Sequence, residues 1–202
     1  MGISIQPRHI KQRLLMQFRF CCMLLLLGLF SSCAQKLYQK NYYSFYDEGF
    51  TISPGSAVRT DGVYVLDRIW TDENGGTTKQ PKEHRFYKFY ATGQSNLTLD
   101  PENSIKTDQD YITAVKKDFI KKDHTLFEGY FKQQGNKLII QSVVVPRKQF
   151  EYKYGYVEGN NFVIVKSTHE GKGKFDDKYF TDYYKEYYVF HPLNIIEGTP
   201  QW

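Results

Sequence analysis

Short runs of strand-forming residues, each bounded by turn residues, are the feature that most constrains how this chain can fold. Seven such runs follow residue 60. They span residues 62–70, 84–90, 126–132, 138–145, 149–157, 162–168 and 179–190. β-Branched and aromatic residues favour strands, whereas the glycine, asparagine and proline between the runs favour turns. The sequence therefore predicts a mainly antiparallel, all-β domain.

A weak internal repeat indicates how consecutive strands are joined. The dipeptides Gly135-Asn136 and Gly159-Asn160 each separate two of the runs. Glycine and asparagine adopt positive φ at low cost, as tight hairpin turns require. Successive hairpins of this kind predict an antiparallel meander.

Side-chain alternation is clearest in residues 150–156, where aromatic residues alternate with charged or small ones. One face of this strand is therefore expected to be buried. Residues 85–90 instead place aromatic side chains on both faces. That pattern is expected for a strand covered on both sides, or for one whose outer face meets a partner.

One amphipathic helix is predicted over residues 108–122. Thr107 is a suitable N-cap, and acidic residues in the first turn and lysines in the last suit the helix dipole. The helix carries one apolar stripe, formed by Tyr111, Ile112, Val115 and Phe119. Such a stripe is typical of a helix that docks on a sheet.

These elements predict a single barrel or meander of about seven to eight strands with one inserted helix. A closed barrel is favoured because closure removes exposed strand edges, and a two-sheet β-sandwich is the alternative. The 170 residues from Cys33 onward suit one domain. We place that domain at residues 51–202 and an aromatic leader at residues 33–50.

Residues 1–32 have the pattern of a signal peptide. Four basic residues precede the apolar stretch 20–30, which is followed by Ser31, Ser32 and Cys33. This stretch is shorter than the roughly 20 residues that a spanning helix needs. Cleavage is expected between Ser32 and Cys33, after small residues. An ordinary secretory signal and an uncleaved anchor are the alternatives.

The sequence around the cleavage site resembles a bacterial lipobox, with Phe30 where leucine is usual. The resemblance implies that Cys33 is the lipid attachment site and that the mature protein is bound to a membrane through its N-terminal lipid. Two or more acyl chains give stable anchoring. Ala34, rather than aspartate, follows the cysteine, and for this class that implies the outer membrane of the cell envelope.

Five segments of the β domain resemble small bacterial barrel proteins of lipocalin-like form. They are residues 59–64, residues 85–90 with Gly93, Gly129-Tyr130 with Gly135-Asn136, residues 154–156 with Gly159, and residues 188–192. The resemblance implies an interior that holds a small apolar ligand. A binding module of this type is expected to line its cavity with residues such as Phe89, Tyr152 and Tyr154.

The charge of the mature chain gives no support for a nucleic-acid partner. Four of the 27 Lys and Arg residues, and none of the 22 Asp and Glu residues, lie in residues 1–32. The mature chain therefore has 23 basic and 22 acidic residues, a net charge of +1. A nucleic-acid role needs a basic patch, which this balance does not favour.

No pattern typical of a metal or catalytic site is present. The histidines after Cys33 lack metal-ligand spacing, and serine-hydrolase and phosphate-loop motifs are absent. They are His84, His124, His169 and His191. Two of the three cysteines, Cys21 and Cys22, fall in the signal. We therefore expect a non-catalytic protein without a cofactor.

Two functions remain as hypotheses. The first is a membrane-anchored barrel, facing the periplasm, that binds a small apolar or amphipathic ligand. The second is an envelope protein–protein interaction module with a filled barrel, for which the 31 aromatic residues among the 170 from Cys33 onward supply surface. An enzyme is the weakest hypothesis because no group of residues supports it.

Overall fold

The computed structural model describes residues 39–120, 127–144, 149–181 and 183–195, with residues 198, 200 and 202. Tyr38–Trp202 form one compact unit. The predicted signal peptide, the cleavage site at Ser32 and Cys33, the lipid attachment and His124 all lie outside the described residues.

The described chain contains nine strands and one α-helix. The strands are β1 Gly62–Thr71, β2 Thr77–Lys79, β3 His84–Phe89, β4 Gln94–Asp100, β5 Glu128–Gln134, β6 Lys137–Val144, β7 Gln149–Glu158, β8 Asn161–Thr168 and β9 Tyr184–Pro192. The helix α1, Asp108–Ile120, lies between β4 and β5. All strand pairs are antiparallel.

The sheet closes on itself through β1 and β9. From β3 to β9 each strand pairs with the next along the chain, and β9 pairs with β1 over the whole length of β1. The result is a closed barrel of eight strands, with the short β2 as an extra strand on the edge of β1. The prediction of an all-β antiparallel barrel with one helix is confirmed, and the β-sandwich alternative is not observed.

Two strands, β2 and β4, were not predicted. The more important is β4, whose residues Gln94, Ser95 and Asn96 are polar yet buried. The Gln94 side chain donates to the backbone oxygen of Trp202 at 2.6 Å, and the Asn96 side chain donates to Asp118 of α1. The strand was missed because its burial depends on hydrogen bonds to distant segments rather than on apolar side chains.

Aromatic side chains fill the barrel interior at the end where β1 starts. Phe89 is fully buried, and its ring lies 5.1 Å from that of Phe131, 5.4 Å from that of Phe162 and 5.6 Å from that of Tyr64. All three contacts are edge-to-face, the geometry that aromatic pairs prefer. We call this the closed end of the barrel; it contains the start of β1 and the β5–β6 and β7–β8 turns.

The segment before β1 covers the closed end. Phe50 packs against Phe131 with ring centroids 5.8 Å apart, and Val58 is a buried member of the same interior cluster. Earlier in this segment, Tyr43 and Phe45 are buried on the outer wall of the barrel. The described part of the leader therefore packs on the domain.

Helix α1 packs on the outer face of β1 and β3. Tyr111 and Val115 are buried with Val63 and Phe86, while Ile112 and Phe119 are partly buried. Thr107 caps the helix: its hydroxyl accepts from the Asp110 backbone N–H at 3.3 Å, and the Asp110 carboxylate accepts from the Thr107 N–H at 2.9 Å. This reciprocal capping satisfies N–H groups that the first turn leaves unpaired.

Candidate functional site: the open end of the barrel

The barrel interior changes from aromatic to charged toward the end opposite the closed end. We call this the open end; it contains the end of β1 and the start of β9. Side chains two residues apart on a strand share a face. On β3, Arg85 therefore shares the inward face with Tyr87 and Phe89. On β9, Glu186 shares the inward face with Tyr188.

Glu186 is the centre of one polar group. Its carboxylate accepts from Arg85 Nη2 at 2.7 Å, from the Tyr184 hydroxyl at 2.5 Å and from the Tyr188 hydroxyl at 2.6 Å. The Glu186 and Arg85 side chains are 14% and 23% exposed. Burial, together with the nearby carboxylate, raises the pKa of Tyr184 and Tyr188, so both hydroxyls keep their protons and donate to Glu186 at neutral pH.

A second ion pair lies on β7. Lys153 Nζ lies 2.8 Å from Glu151 Oε2 and 3.4 Å from Ser142 Oγ. Burial lowers the pKa of Lys153, but Tyr87 and Glu151 outweigh it and the net pKa is raised. Burial likewise raises the pKa of Glu151, but Lys153 outweighs it and the net pKa is lowered. Both groups are therefore charged at neutral pH.

The barrel wall separates between β8 and β9 at the open end. Pairing of these strands stops at Ile164 and Glu186, although β8 continues to Thr168 and β9 begins at Tyr184. The gap holds a cavity of about 470 Å³, which we call the β8–β9 cavity. Its lining includes Glu151, Lys153, Ile164, Ser167, Tyr183 and Glu186.

The wall also separates on the other side of β1. Only Tyr64 and Val65 of β1 pair with β3, and nearer the open end β2 occupies that edge of β1 instead. A second cavity of about 300 Å³, the β1–β3 cavity, lies here. It is lined by Leu66, Ile69, Lys79, Gln80, Pro81, Lys82, Glu83 and Arg85.

The three residues predicted to line a ligand cavity lie in different places. Phe89 is in the packed interior, whereas Tyr152 and Tyr154 face outward from β7. The Tyr154 ring stacks on Tyr179 with centroids 4.9 Å apart, and Tyr152 packs against Phe45. Burial raises the pKa of Tyr154 to about 12. The structure does not bring the three together, and they line neither cavity at the open end.

Sequence reasoning missed the charged residues that do line the open end. On β7 the aromatic face is covered from outside, so Glu151 and Lys153 take the inward positions. The detectable signal was the alternation itself, which places these two residues on one face. It does not tell which face meets the interior.

The described histidines have structural partners. His84 Nδ1 lies 3.0 Å from Asp100 and its Nε2 lies 2.8 Å from the Tyr111 hydroxyl. His191 Nε2 lies 2.8 Å from Asp108. Within the part of the chain that the structure describes, no group of three His, Cys, Asp or Glu residues is arranged to bind a metal ion.

No helix in the described ranges has the length and apolar character of a membrane-spanning segment. No protein-family model, curated protein or solved structure matches this chain.

Proposed function

We propose that this chain is a non-catalytic lipoprotein of the cell envelope that binds a small amphipathic molecule at the open end of its barrel. The observation that carries the proposal is the pair of cavities that flank a charged interior at that end. The closed end, by contrast, is packed with aromatic rings. The proposed site is therefore the mouth of the barrel rather than its centre.

The size and chemistry of the cavities support a small ligand. Volumes of about 470 and 300 Å³ fall within the range of small-molecule sites, roughly 300 to 1,000 Å³. Each cavity joins aliphatic side chains to charged ones: Ile164 beside Lys153 in the first, Leu66 beside Arg85 in the second. A molecule with both an apolar and a polar part matches that combination.

The proposed anchor keeps the barrel close to the membrane. Five residues lie between Cys33 and Gln39, where the described chain begins, and the six residue steps from Cys33 to Gln39 span about 20 Å when fully extended. A lipid on Cys33 would therefore hold the barrel within reach of molecules leaving or entering the outer membrane. This part of the proposal is supported by the lipobox pattern of residues 30–33.

Native mass spectrometry tests the binding function. The chain lacking residues 1–33 contains the whole compact unit and is examined as isolated and after incubation with a lipid extract of the producing cells. We expect added mass that is lost on denaturation. At least one of two cavity-filling variants, Ser167→Trp in the β8–β9 cavity and Gln80→Trp in the β1–β3 cavity, should reduce that mass, whereas Gln134→Trp at the closed end should not. A bare chain mass under both conditions would contradict the proposal.

One observation favours a second candidate, an envelope protein–protein interaction module. Three large apolar side chains at the open end are exposed: Tyr183 at 76%, Phe127 at 40% and Leu99 at 39%. Exposed apolar side chains mark an interaction surface when they form one contiguous patch. This candidate replaces ligand binding if Tyr183→Ser abolishes cross-linking to an envelope protein and native mass spectrometry of the chain shows no bound ligand.

A further inference from the structure

The two cavities at the open end differ in their charge. The β8–β9 cavity is lined by two carboxylates, Glu151 and Glu186, and two ammonium groups, Lys153 and Lys166. The β1–β3 cavity is lined by Lys79, Lys82 and Arg85 with a single carboxylate, Glu83. Within the linings alone, the first set has equal numbers of basic and acidic groups, whereas the second has three basic groups and one acidic group. Glu186 and Glu73, which lie outside the second lining, pair with Arg85 and Lys79.

The floor of the β1–β3 cavity is apolar. Leu66 is only 6% exposed and belongs to the interior cluster, against which Ile69 also packs. Pro81 adds a third apolar side chain at the edge. A ligand in this cavity would therefore contact aliphatic groups on one side and positive charge on the other.

The positive groups retain capacity for a ligand. Arg85 carries five N–H donors; Nη2 bonds Glu186, and Nε is buried without a hydrogen-bond partner among the described residues. Lys79 pairs with Glu73 at 3.3 Å, but both side chains are more than half exposed, so this pair is weak. Within the described residues, Lys82 makes no ion pair.

We propose that the β1–β3 cavity binds an anionic amphiphile, with its negatively charged head at Lys79, Lys82 and Arg85 and its apolar chain against Leu66 and Ile69. This rests on the proposed function and assigns the ligand class and the cavity. The site lies in the barrel wall, where β1 and β3 separate. A carboxylate, sulfate or phosphate head would satisfy the same donors.

Photo-crosslinking in membranes tests the proposal on the full chain. Three probes share a ten-carbon chain carrying a diazirine and differ in the head: decanoate, decyltrimethylammonium and decyl maltoside. Labelled peptides are mapped by mass spectrometry. We expect decanoate to label the peptides containing Leu66–Ile69 and Lys79–Arg85 at least about fivefold more than the trimethylammonium probe, as two partly exposed charge contacts allow.

A charge-matched pair of variants locates the head. Lys79→Ser/Lys82→Ser should reduce decanoate labelling about fivefold and leave maltoside labelling unchanged. The control, Lys116→Ser/Lys117→Ser, removes the same charge from the exposed face of α1 and should change neither. Decyl sulfate and decyl phosphate as competitors then rank the possible anionic heads.

The outcomes separate this inference from the function on which it rests. Equal labelling of the open end by all three probes would overturn the anionic assignment and leave amphiphile binding in place. Labelling confined to the β8–β9 cavity would also overturn it. No labelling of the open end by any probe would overturn both.

Discussion

Arg85 and Glu186 are joined at 2.7 Å across the interior of the barrel, although 101 residues separate them in sequence. They lie on β3 and β9, which pair with opposite edges of β1. At the open end β1 is separated from β3, and β9 from β8. The ion pair therefore holds β9, and β1 beside it, to the rest of the barrel where backbone pairing has stopped.

Glu186→Gln should destabilise the barrel by about 3 kcal/mol, since it leaves the guanidinium of Arg85 partly buried without its counter-charge. The double variant Arg85→Met/Glu186→Gln should cost less than the sum of the two single changes, because no unpaired charge remains. Urea unfolding of Glu186→Gln, Arg85→Met and the double variant measures the three free energies of unfolding. Strictly additive losses would show that the two residues do not act as a pair.

Phe89→Ala should lower the free energy of unfolding by about 3 to 5 kcal/mol, because the ring is fully buried among other rings and its removal leaves a cavity. Val189→Ala, on the outer face of β9 and 38% exposed, is the control and should cost less than about 1 kcal/mol. Thermal unfolding measures both. A loss below about 1 kcal/mol for Phe89→Ala would mean that the closed end is not tightly packed.

Gly173→Ala should destabilise more than Gly159→Ala by about 1 to 3 kcal/mol. Both glycines have positive φ, 72° and 57°, so both variants carry the same kind of backbone strain. A Cβ at Gly173 would lie 2.3 Å from the Phe45 ring, whereas a Cβ at Gly159 would meet nothing within 4 Å. Equal losses in denaturant unfolding would argue against the packing of the leader on the outer wall.

Asp100→Asn should destabilise by about 2 to 3 kcal/mol at pH 7, because the carboxylate accepts from the Ile105 N–H at 2.8 Å and from the Ser104 N–H and hydroxyl at 2.9 Å each. Burial opposes ionisation, but these donors and His84 outweigh it and hold the pKa of Asp100 well below its usual value.

The pH dependence follows from the sign of that shift. A carboxyl whose pKa is depressed by folding contributes stability above its unfolded pKa of about 4 and loses it as the pH falls through the folded pKa. The difference in unfolding free energy between the native chain and Asp100→Asn should therefore narrow below about pH 4. A difference that stays constant from pH 7 to pH 3 would contradict this account.

Cys33→Ser should abolish incorporation of radiolabelled palmitate and leave the chain unprocessed, because the cysteine thiol is the proposed acceptor of the lipid. Cys22→Ser, within the predicted signal, is the matched control and should leave labelling intact. Autoradiography of envelope fractions gives the result. Unchanged labelling of Cys33→Ser would refute the lipobox interpretation.

The strand runs were predictable because each carries its own local pattern. The run at residues 62–70 corresponds to β1, and the predicted helix corresponds to α1 with its N-cap at Thr107. A closed barrel was favoured because closure removes exposed edges; the structure confirms the closed barrel and shows that β1 and β9 close it. Local alternation and turn chemistry were sufficient for this part of the fold.

The candidate site was not predictable in the same way, because the direction in which a strand faces depends on distant segments. Tyr152 and Tyr154 face outward since Phe45 and Tyr179 cover them there. Glu151 and Lys153 resemble solvent-facing residues in sequence, yet their charges are paired inside the barrel. These ion pairs and aromatic contacts depend on the three-dimensional fold, which local sequence patterns do not reveal.

Amide chemical-shift mapping shows, residue by residue, whether a ligand binds at the open end. The ¹⁵N-labelled chain lacking residues 1–33 is titrated with decanoate and, separately, with decyl maltoside, each below its micellar concentration. We expect saturable shifts of the amide signals of Leu66, Lys82, Arg85 and Glu186, with those of Gly135 and Gly159 at the closed end unchanged. Shifts centred on the closed end, or no saturable shift with either molecule, would contradict binding at the open end.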